Sequence, residues 1–257
     1  MDYEGFKAGV LKLTHIDLNA YKEKQMKRRI DSLIAKEKYT GYDTYLEGLK
    51  KDTRLFNDFV NYLTINVSEF YRNPDQWKIL ENEIIPDLIN KSGKHLNIWS
   101  AACSTGDEPY SLVMLLSKFM PLSDIKITAT DIDNQVIEQA KAGIYGVNSL
   151  KGLPKEFLDK YFTKITDKSY AISDEIKKRV EFKKHNLLLD PYPKNLDMIV
   201  CRNVLIYFTD EAKHDIYKKF NDSLKSERYL FIGSTEQIME YKELNYTSCK
   251  TFFYKKN

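Results

Sequence analysis

The chain has 257 residues, 42% of them apolar and 30% charged, with a formal net charge of +3. That length allows one large domain or two unequal ones, and so small a net charge makes no electrostatic case for nucleic acid. Three cysteines without a CxxC, four histidines without an HExxH, and no run of 18 apolar residues leave no ground to expect a disulfide framework, a metal site or a membrane span.

The amino terminus, MDYEGFKAGV, lacks the apolar core of a signal peptide, and a reducing cytoplasm is the expected compartment. Residues 1–70 read as a helical domain. Met26, Ile30, Leu33 and Ile34 share one helical face, and Leu46, Leu49, Phe56, Phe59, Val60 and Leu63 continue the pattern without a proline. Residues 71–257 read as a second domain. After Arg72-Asn73-Pro74, one helix is expected from Trp77 to Ile89. Strand and helix then alternate: LNIWSAA, a helix from Glu108 to Phe119, IKITATDI, a helix from Asn134 to Ala142, VEFKKHNLL, LDMIVCRNVLIYF, a helix from Asp210 to Leu224, and YLFIGS. Alternation of this kind predicts an α/β fold, a doubly wound parallel sheet covered on both faces. TFFYKK closes an expected antiparallel strand pair. About 36 residues separate Ile144 from Val180, where a short connection would serve. DKYFTKITDKSYAIS marks a small antiparallel β insertion there, at about 146–180. It is either decoration or a docking surface.

The stretch NIWSAACSTGDEPY, Asn97 to Tyr110, begins as a strand and ends as a helix start, with no large side chain from Ser100 to Gly106. In doubly wound sheets this first turn lets the backbone approach a ligand. The dinucleotide fingerprint GxGxxG is absent. Asp107 and Glu108 serve as acids favoured at a helix start, or they receive a ligand that carries positive charge rather than a pyrophosphate. Asp131 follows Gly106 by 25 residues, at the tip of the next strand, where an acid accepts from ribose hydroxyls. Asp133 beside it suits a helix cap. Ribose plus a cationic amino-acid tail describes S-adenosylmethionine. Arg202 and Asn203 stand at the tip of a central strand, while Cys201, at the end of an apolar run, reads as packing. Asn186-Leu187, at the end of the preceding strand, is placed to touch an adenine.

WSAACSTGDEPYSL, ATDID, HNLL, CRNVLIYF and TINVSEFYRN occur in that relation along nearly the whole chain. Together they resemble the chemotaxis receptor methyltransferases, the CheR family. The resemblance implies a class I S-adenosylmethionine methyltransferase fold with a Rossmann-like sheet, an all-α amino-terminal domain and the β insertion. It implies S-adenosylmethionine as donor, S-adenosylhomocysteine as product, no metal, and receptor glutamates as acceptors. By motif, it implies that Asn66, Ser68 and Arg72 contribute from the linker. Glu108 then holds the methionine amino group and Asp131 the ribose, Asn186, Leu187, Arg202 and Asn203 line the adenosyl pocket, and Tyr207 lies beside the transferred methyl. Arg72 and Tyr207 are the expected catalytic residues. Departures are small: many members carry Glu at Asp107, Thr at Ser68, Ala at Cys103, and a His-containing loop where Gly233-Ser234-Thr235-Glu236 stands.

A glutamate with a pKa of about 4.3 is already ionised at neutral pH, so transfer to it requires no general base. It requires in-line approach and partial desolvation. That accounts for the lack of any evident triad or metal cluster. YKEKQMKRRID carries five basic residues from Lys22 to Arg29. Lys24, Lys27 and Arg28 share its outer side, as a solvated face on charge alone and as the docking site for the helical cytoplasmic region of a receptor under the family resemblance. A monomer is expected. Two rivals are a nucleic-acid methyltransferase and a non-catalytic module that binds donor as a ligand. Against the first, the position of its (Asp/Asn)-Pro-Pro-Tyr element holds Cys-Arg-Asn-Val, and DPYP at 190–193 precedes that strand.

Overall fold

Asp2 accepts a hydrogen bond from the Gly5 N–H at 2.9 Å and so caps α1 (Tyr3–Thr14). The computed structural model describes residues 1–257. Next come α2 (Glu23–Lys36), α3 (Tyr42–Lys51) and α4 (Thr53–Thr64), the last capped by Asp52 through the Arg54 and Leu55 N–H groups. Met26, Ile30, Leu33 and Ile34 are the buried face of α2, as their spacing predicts. They close over Phe6, Val10, Tyr45 and Phe59, each fully buried. The Phe6 and Tyr45 rings meet Phe59 edge-on or nearly so, at 6.2 and 5.8 Å.

Two units divide the chain. The first is Met1–Asn66 with Tyr207–Ile216; the second is Val67–Ile206 with Tyr217–Asn257. The returning segment joins the first unit through backbone pairing. The Lys22 N–H donates to the Tyr207 carbonyl at 2.9 Å, the Thr209 N–H donates to the Ala20 carbonyl at 2.8 Å, and the Tyr21 and Phe208 rings lie 4.6 Å apart.

The second unit opens with α5 (Pro74–Ile79) and α6 (Ile85–Ser92), joined by a π-helical turn at Leu80–Ile84. β1 (Ile98–Ala101), α7 (Asp107–Leu116), β2 (Ile127–Asp131) and α8 (Asn134–Ala142) follow. Then come β3 (Ile144–Gly146), α9 (Lys155–Tyr161), β4 (Phe162–Thr166), β5 (Ser169–Ile172), α10 (Asp174–Lys177) and β6 (Val180–Lys184). The chain finishes with β7 (Leu196–Cys201), α11 (Asp210–Ser223), β8 (Leu224–Ile232), β9 (Tyr246–Lys250) and β10 (Phe253–Lys256). Helix α11 therefore begins in the first unit and ends in the second.

The large sheet has seven strands in the order β6-β2-β1-β7-β8-β10-β9. The first five run parallel, and β10 pairs antiparallel with both β8 and β9. Ile98, Met198, Val200 and Phe231 point to one face, where Trp77, Leu88, Tyr110 and Leu112 from α5, α6 and α7 cover them. Trp99 points to the other face and meets Phe220 of α11 at 5.6 Å and Tyr192 at 5.1 Å. Burial on both faces is why these strands read as unbroken apolar runs rather than as alternation. The insertion is a second sheet of three antiparallel strands, β3-β5-β4. The Thr-Asp-Lys-Ser turn joins β4 to β5, and β3 adds a third strand that the polar-flanked run Ile144–Gly146 hid.

At the amino-terminal edge of the large sheet, Asp197 is fully buried. It accepts from Lys225 at 2.9 Å, Arg228 at 3.1 Å, Ser92 at 2.8 Å and the Asn97 N–H at 2.9 Å. This cluster ties β1, β7 and β8 to the end of α6.

Candidate active site

Small residues at 100–106 let the chain leave β1 in a tight turn at the carboxyl edge of the sheet. Ala102 and Ser104 both take left-handed backbone, φ 60° and 48°, and Gly106 does so at φ 86°. A Cβ on Gly106 would stand 2.8 Å from the Ala140 Cβ, so glycine is required there. Asn203 (φ 60°) after β7, and Tyr71 (φ 51°) and Asn73 (φ 61°) in the linker, share the same costly conformation. Non-glycine residues held this way persist only where the surroundings over-determine them. Of these, Ala102, Ser104 and Asn203 line one pocket, together with Val67, Ser68, Glu69, Arg72, Cys103, Glu108 and Arg202.

Electrostatics in the pocket centre on Glu108 and Arg202. Glu108 accepts from the Ser100 hydroxyl at 2.8 Å and faces Arg202 at 3.6 Å. Burial pushes the Glu108 carboxyl up, against the Arg202 charge that pulls it down. Arg202 does more than line the pocket. Its Nη2 donates to the Arg72 carbonyl at 2.7 Å, to Gln76 Oε1 at 2.8 Å and to Asn73 Oδ1 at 3.2 Å. Its guanidinium lies 4.7 Å from the Phe231 ring centroid. It fixes the linker that carries Arg72 to the sheet. Nη1 of Arg72 donates to the Val67 carbonyl at 3.1 Å.

Asp131 closes β2. Its two oxygens accept from the Ser104 N–H at 2.8 Å and the Asp133 N–H at 3.0 Å. Burial pushes its carboxyl up to about 6, opposed by those N–H groups. Asp133 caps α8 through the Gln135 N–H at 2.8 Å, which leaves Asp131 to face the turn after β1. Asn186 and Leu187 follow β6, the neighbour of β2. Asn186 Oδ1 accepts from the Leu188 N–H at 2.9 Å and Leu187 is buried. Cys201 and Cys103 are buried, and burial pushes both thiols well above their ordinary range, so neither offers a thiolate. The DPYP stretch at 190–193 is a loop whose Asp190 accepts from the Asn186 N–H at 2.8 Å.

The first unit holds the other named residues. Asn66 donates to Thr64 Oγ1 at 2.7 Å, directly before Val67 in the chain, and Tyr207 directly follows Ile206. On α2, Lys24 and Arg28 are exposed, whereas Lys27 pairs with Asp31 at 3.1 Å and lies 5.5 Å from the Tyr3 ring centroid.

Three features had no clear sequence signal. Asp107 is fully buried and makes no helix-capping hydrogen bond. It accepts from Thr105 at 2.6 Å and from the Ser149 and Ser68 hydroxyls, binding the root of the insertion to the linker and the first turn. Gln76 is buried against Arg202. Glu236 is buried in the turn after β8.

Three buried polar atoms at the pocket have no protein partner: Ser104 Oγ, Arg202 Nε and Asn203 Oδ1. Buried polar atoms are normally paired, so three without partners on residues that line one pocket fit a polar ligand. Two carboxylates, Glu108 and Asp131, suit one that brings an ammonium and ribose hydroxyls. A wider cleft at the opposite edge is lined by His95, Lys126 and Lys194. Lys126 already pairs with Glu181 at 3.5 Å and Lys194 with the Asp222 carbonyl at 3.4 Å.

The fold and this site define a class I S-adenosylmethionine-dependent methyltransferase. Residues 66–253 match the family described as CheR methyltransferase, SAM binding domain, and residues 1–64 match the CheR methyltransferase all-alpha domain. The chain is 42% identical to a chemotaxis protein methyltransferase of Listeria innocua over 98% of its own length and 96% of that protein's. It is 34% identical to one of Borreliella burgdorferi, over 94% and 89%. The chain belongs to the CheR methyltransferase family, and it is an S-adenosylmethionine-dependent enzyme of chemotaxis. No helix is long and apolar enough to cross a membrane.

Proposed function

We propose that the enzyme transfers the methyl group of S-adenosylmethionine to glutamate side chains on the helical cytoplasmic region of chemotaxis receptors, giving glutamyl methyl esters and S-adenosylhomocysteine. One observation supports this reading: Arg72, a cation suited to an acceptor carboxylate, and Glu108, an acid suited to the donor's ammonium, line the same pocket. When bound, the donor supplies an electrophilic methyl on a cationic sulfur. The chain has only to bind, orient and dry the reacting groups. Glu108 and Asp131 hold the ammonium and the ribose. Ser68, Asn186, Leu187, Arg202 and Asn203 complete the cradle, with Asn66 of the linker motif. Arg72 steers the incoming carboxylate, and Tyr207 orients it by a hydrogen bond. Lys24, Lys27 and Arg28 meet the acidic receptor helix. The enzyme acts as a cytoplasmic monomer.

The test uses tritiated-methyl donor, purified enzyme and membranes that contain chemoreceptors. Base-labile label on the receptor, released as methanol, is expected. Donor binding by calorimetry with no label on receptor would discard the receptor as acceptor.

A further inference from the structure

Glu236 is 4% exposed, and three backbone N–H groups converge on its carboxylate. Oε2 accepts from Asn203 at 2.7 Å and from Gly233 at 2.9 Å, and Oε1 accepts from Leu205 at 2.6 Å. Asn203 and Leu205 belong to the turn after β7, whereas Gly233 and Glu236 belong to the turn after β8. The two turns are in close contact: a Cβ on Gly233 would stand 2.7 Å from the Asn203 N and 2.8 Å from its Nδ2. The clamped turn is the strained one, with Asn203 in left-handed backbone. It also carries Arg202 and Asn203, which line the pocket and whose buried Nε and Oδ1 have no protein partner.

A buried carboxylate costs several kcal/mol to desolvate, and a charged acceptor binds N–H groups about twice as strongly as a neutral one. A turn that had only to close would not need a buried charge. A turn that must hold a disfavoured backbone and aim two polar groups at a ligand does need over-determination.

We propose that Glu236 is a positioning residue for the methyltransferase: it sets the backbone of the Arg202–Leu205 turn and thereby the pocket face that Arg202 and Asn203 present to the donor. The inference rests on the reading that Asn203 lines the donor site. Asn203→Ala is therefore measured alongside.

The experiment is calorimetric titration of the full chain with S-adenosylhomocysteine, with melting temperatures recorded for each variant. Glu236→Gln replaces one accepting oxygen with a donor and leaves an N–H unpaired. Its Kd is expected to rise by about tenfold. Asp197→Asn, at the opposite edge of the sheet, serves as the purely structural control. It is expected to lower the melting temperature without moving Kd. Glu236→Asp keeps both oxygens and is expected to restore part of the affinity. Should Glu236→Gln fail to fold, Glu236→Asp is judged by the same rise in Kd. A Kd within about twofold of the parent for the Glu236 variant, while Asn203→Ala binds weakly, overturns the inference. Unchanged affinity in Asn203→Ala removes the pocket reading and the inference with it.

Discussion

Arg202 and Arg72, 130 residues apart in sequence, are joined by a 2.7 Å hydrogen bond from the guanidinium of one to the carbonyl of the other. Two cations are held together in this way because the bond runs to a backbone oxygen, and Glu108 at 3.6 Å balances the buried charge. Positioning of the linker and charge balance in the pocket thus depend on one side chain.

Arg202→Ala is expected to cost about 3 kcal/mol of stability, because Glu108 is left buried and unpaired. The double variant Arg202→Ala with Glu108→Gln should recover part of that loss. Urea unfolding of the four proteins measures the coupling. Simple additivity would show that the two side chains do not act on each other.

Tyr207→Phe removes one hydroxyl and little volume. Donor affinity should stay at the parent value while turnover falls by about tenfold or more. Single-turnover assays with receptor membranes separate the two quantities. Unchanged turnover would take Tyr207 out of the mechanism.

Donor binding should depend on pH through Asp131. Its carboxyl, raised by burial to about 6, is the proposed acceptor for the ribose hydroxyls and accepts through both oxygens only when ionised. The Kd for S-adenosylhomocysteine is expected to rise as pH falls through about 6, and Asp131→Asn should bind weakly with a flat profile. Stability runs the other way. The folded protein holds the Asp131 proton more tightly than the unfolded chain, where the pKa is about 3.9. This group's contribution therefore declines as pH rises from about 4 to about 6. Asp197 has the opposite sign. Burial would raise its carboxyl, but the Asn97 N–H, Lys225, Ser92 and Arg228 together hold it below the ordinary range. Its contribution is full above the unfolded pKa and is lost as pH falls through the lower folded value. Asp197→Asn should remove that acid limb from urea midpoints measured across pH.

Lys24 and Arg28 are exposed cations in the first half of α2, whereas Lys27 is engaged with Asp31. Changing Lys24 and Arg28 together to Glu should raise the apparent KM for receptor several-fold and leave donor affinity intact. Equal KM in parent and variant would move the docking surface elsewhere.

Much of this architecture was legible in the chain. The spacing of Met26, Ile30, Leu33 and Ile34 gave the buried face of α2 because an amphipathic helix has one period, and Asn134–Ala142 was bounded by a cap and a glycine that have direct physical meaning. The apolar runs around Trp99 and Met198 announced strands buried on both faces. Contacts that depend on tertiary closure were not legible. Asp107 looked like a helix-start acid, yet it turns inward to Ser68, Thr105 and Ser149, since hydroxyls brought near from 39 and 42 residues away satisfy it. Gln76 and Glu236 carry no local pattern, because their partners are a side chain and backbone amides supplied by distant turns. The grouping of Tyr207–Ile216 with the amino-terminal helices was hidden for the same reason: its partners, Ala20, Tyr21 and Lys22, lie far away in sequence.

That last grouping bears on how such a protein can be inherited. A gene cut at the codon for residue 66 would separate Tyr207, Phe208 and Thr209 from Lys22, Tyr21 and Ala20, and each product would carry half of a broken interface. The helical region is therefore no cassette to be traded between genes by one recombination event. Any lineage that exchanges it must bring along a ten-residue stretch encoded some 140 codons downstream, or rebuild the surface that Phe208 now covers.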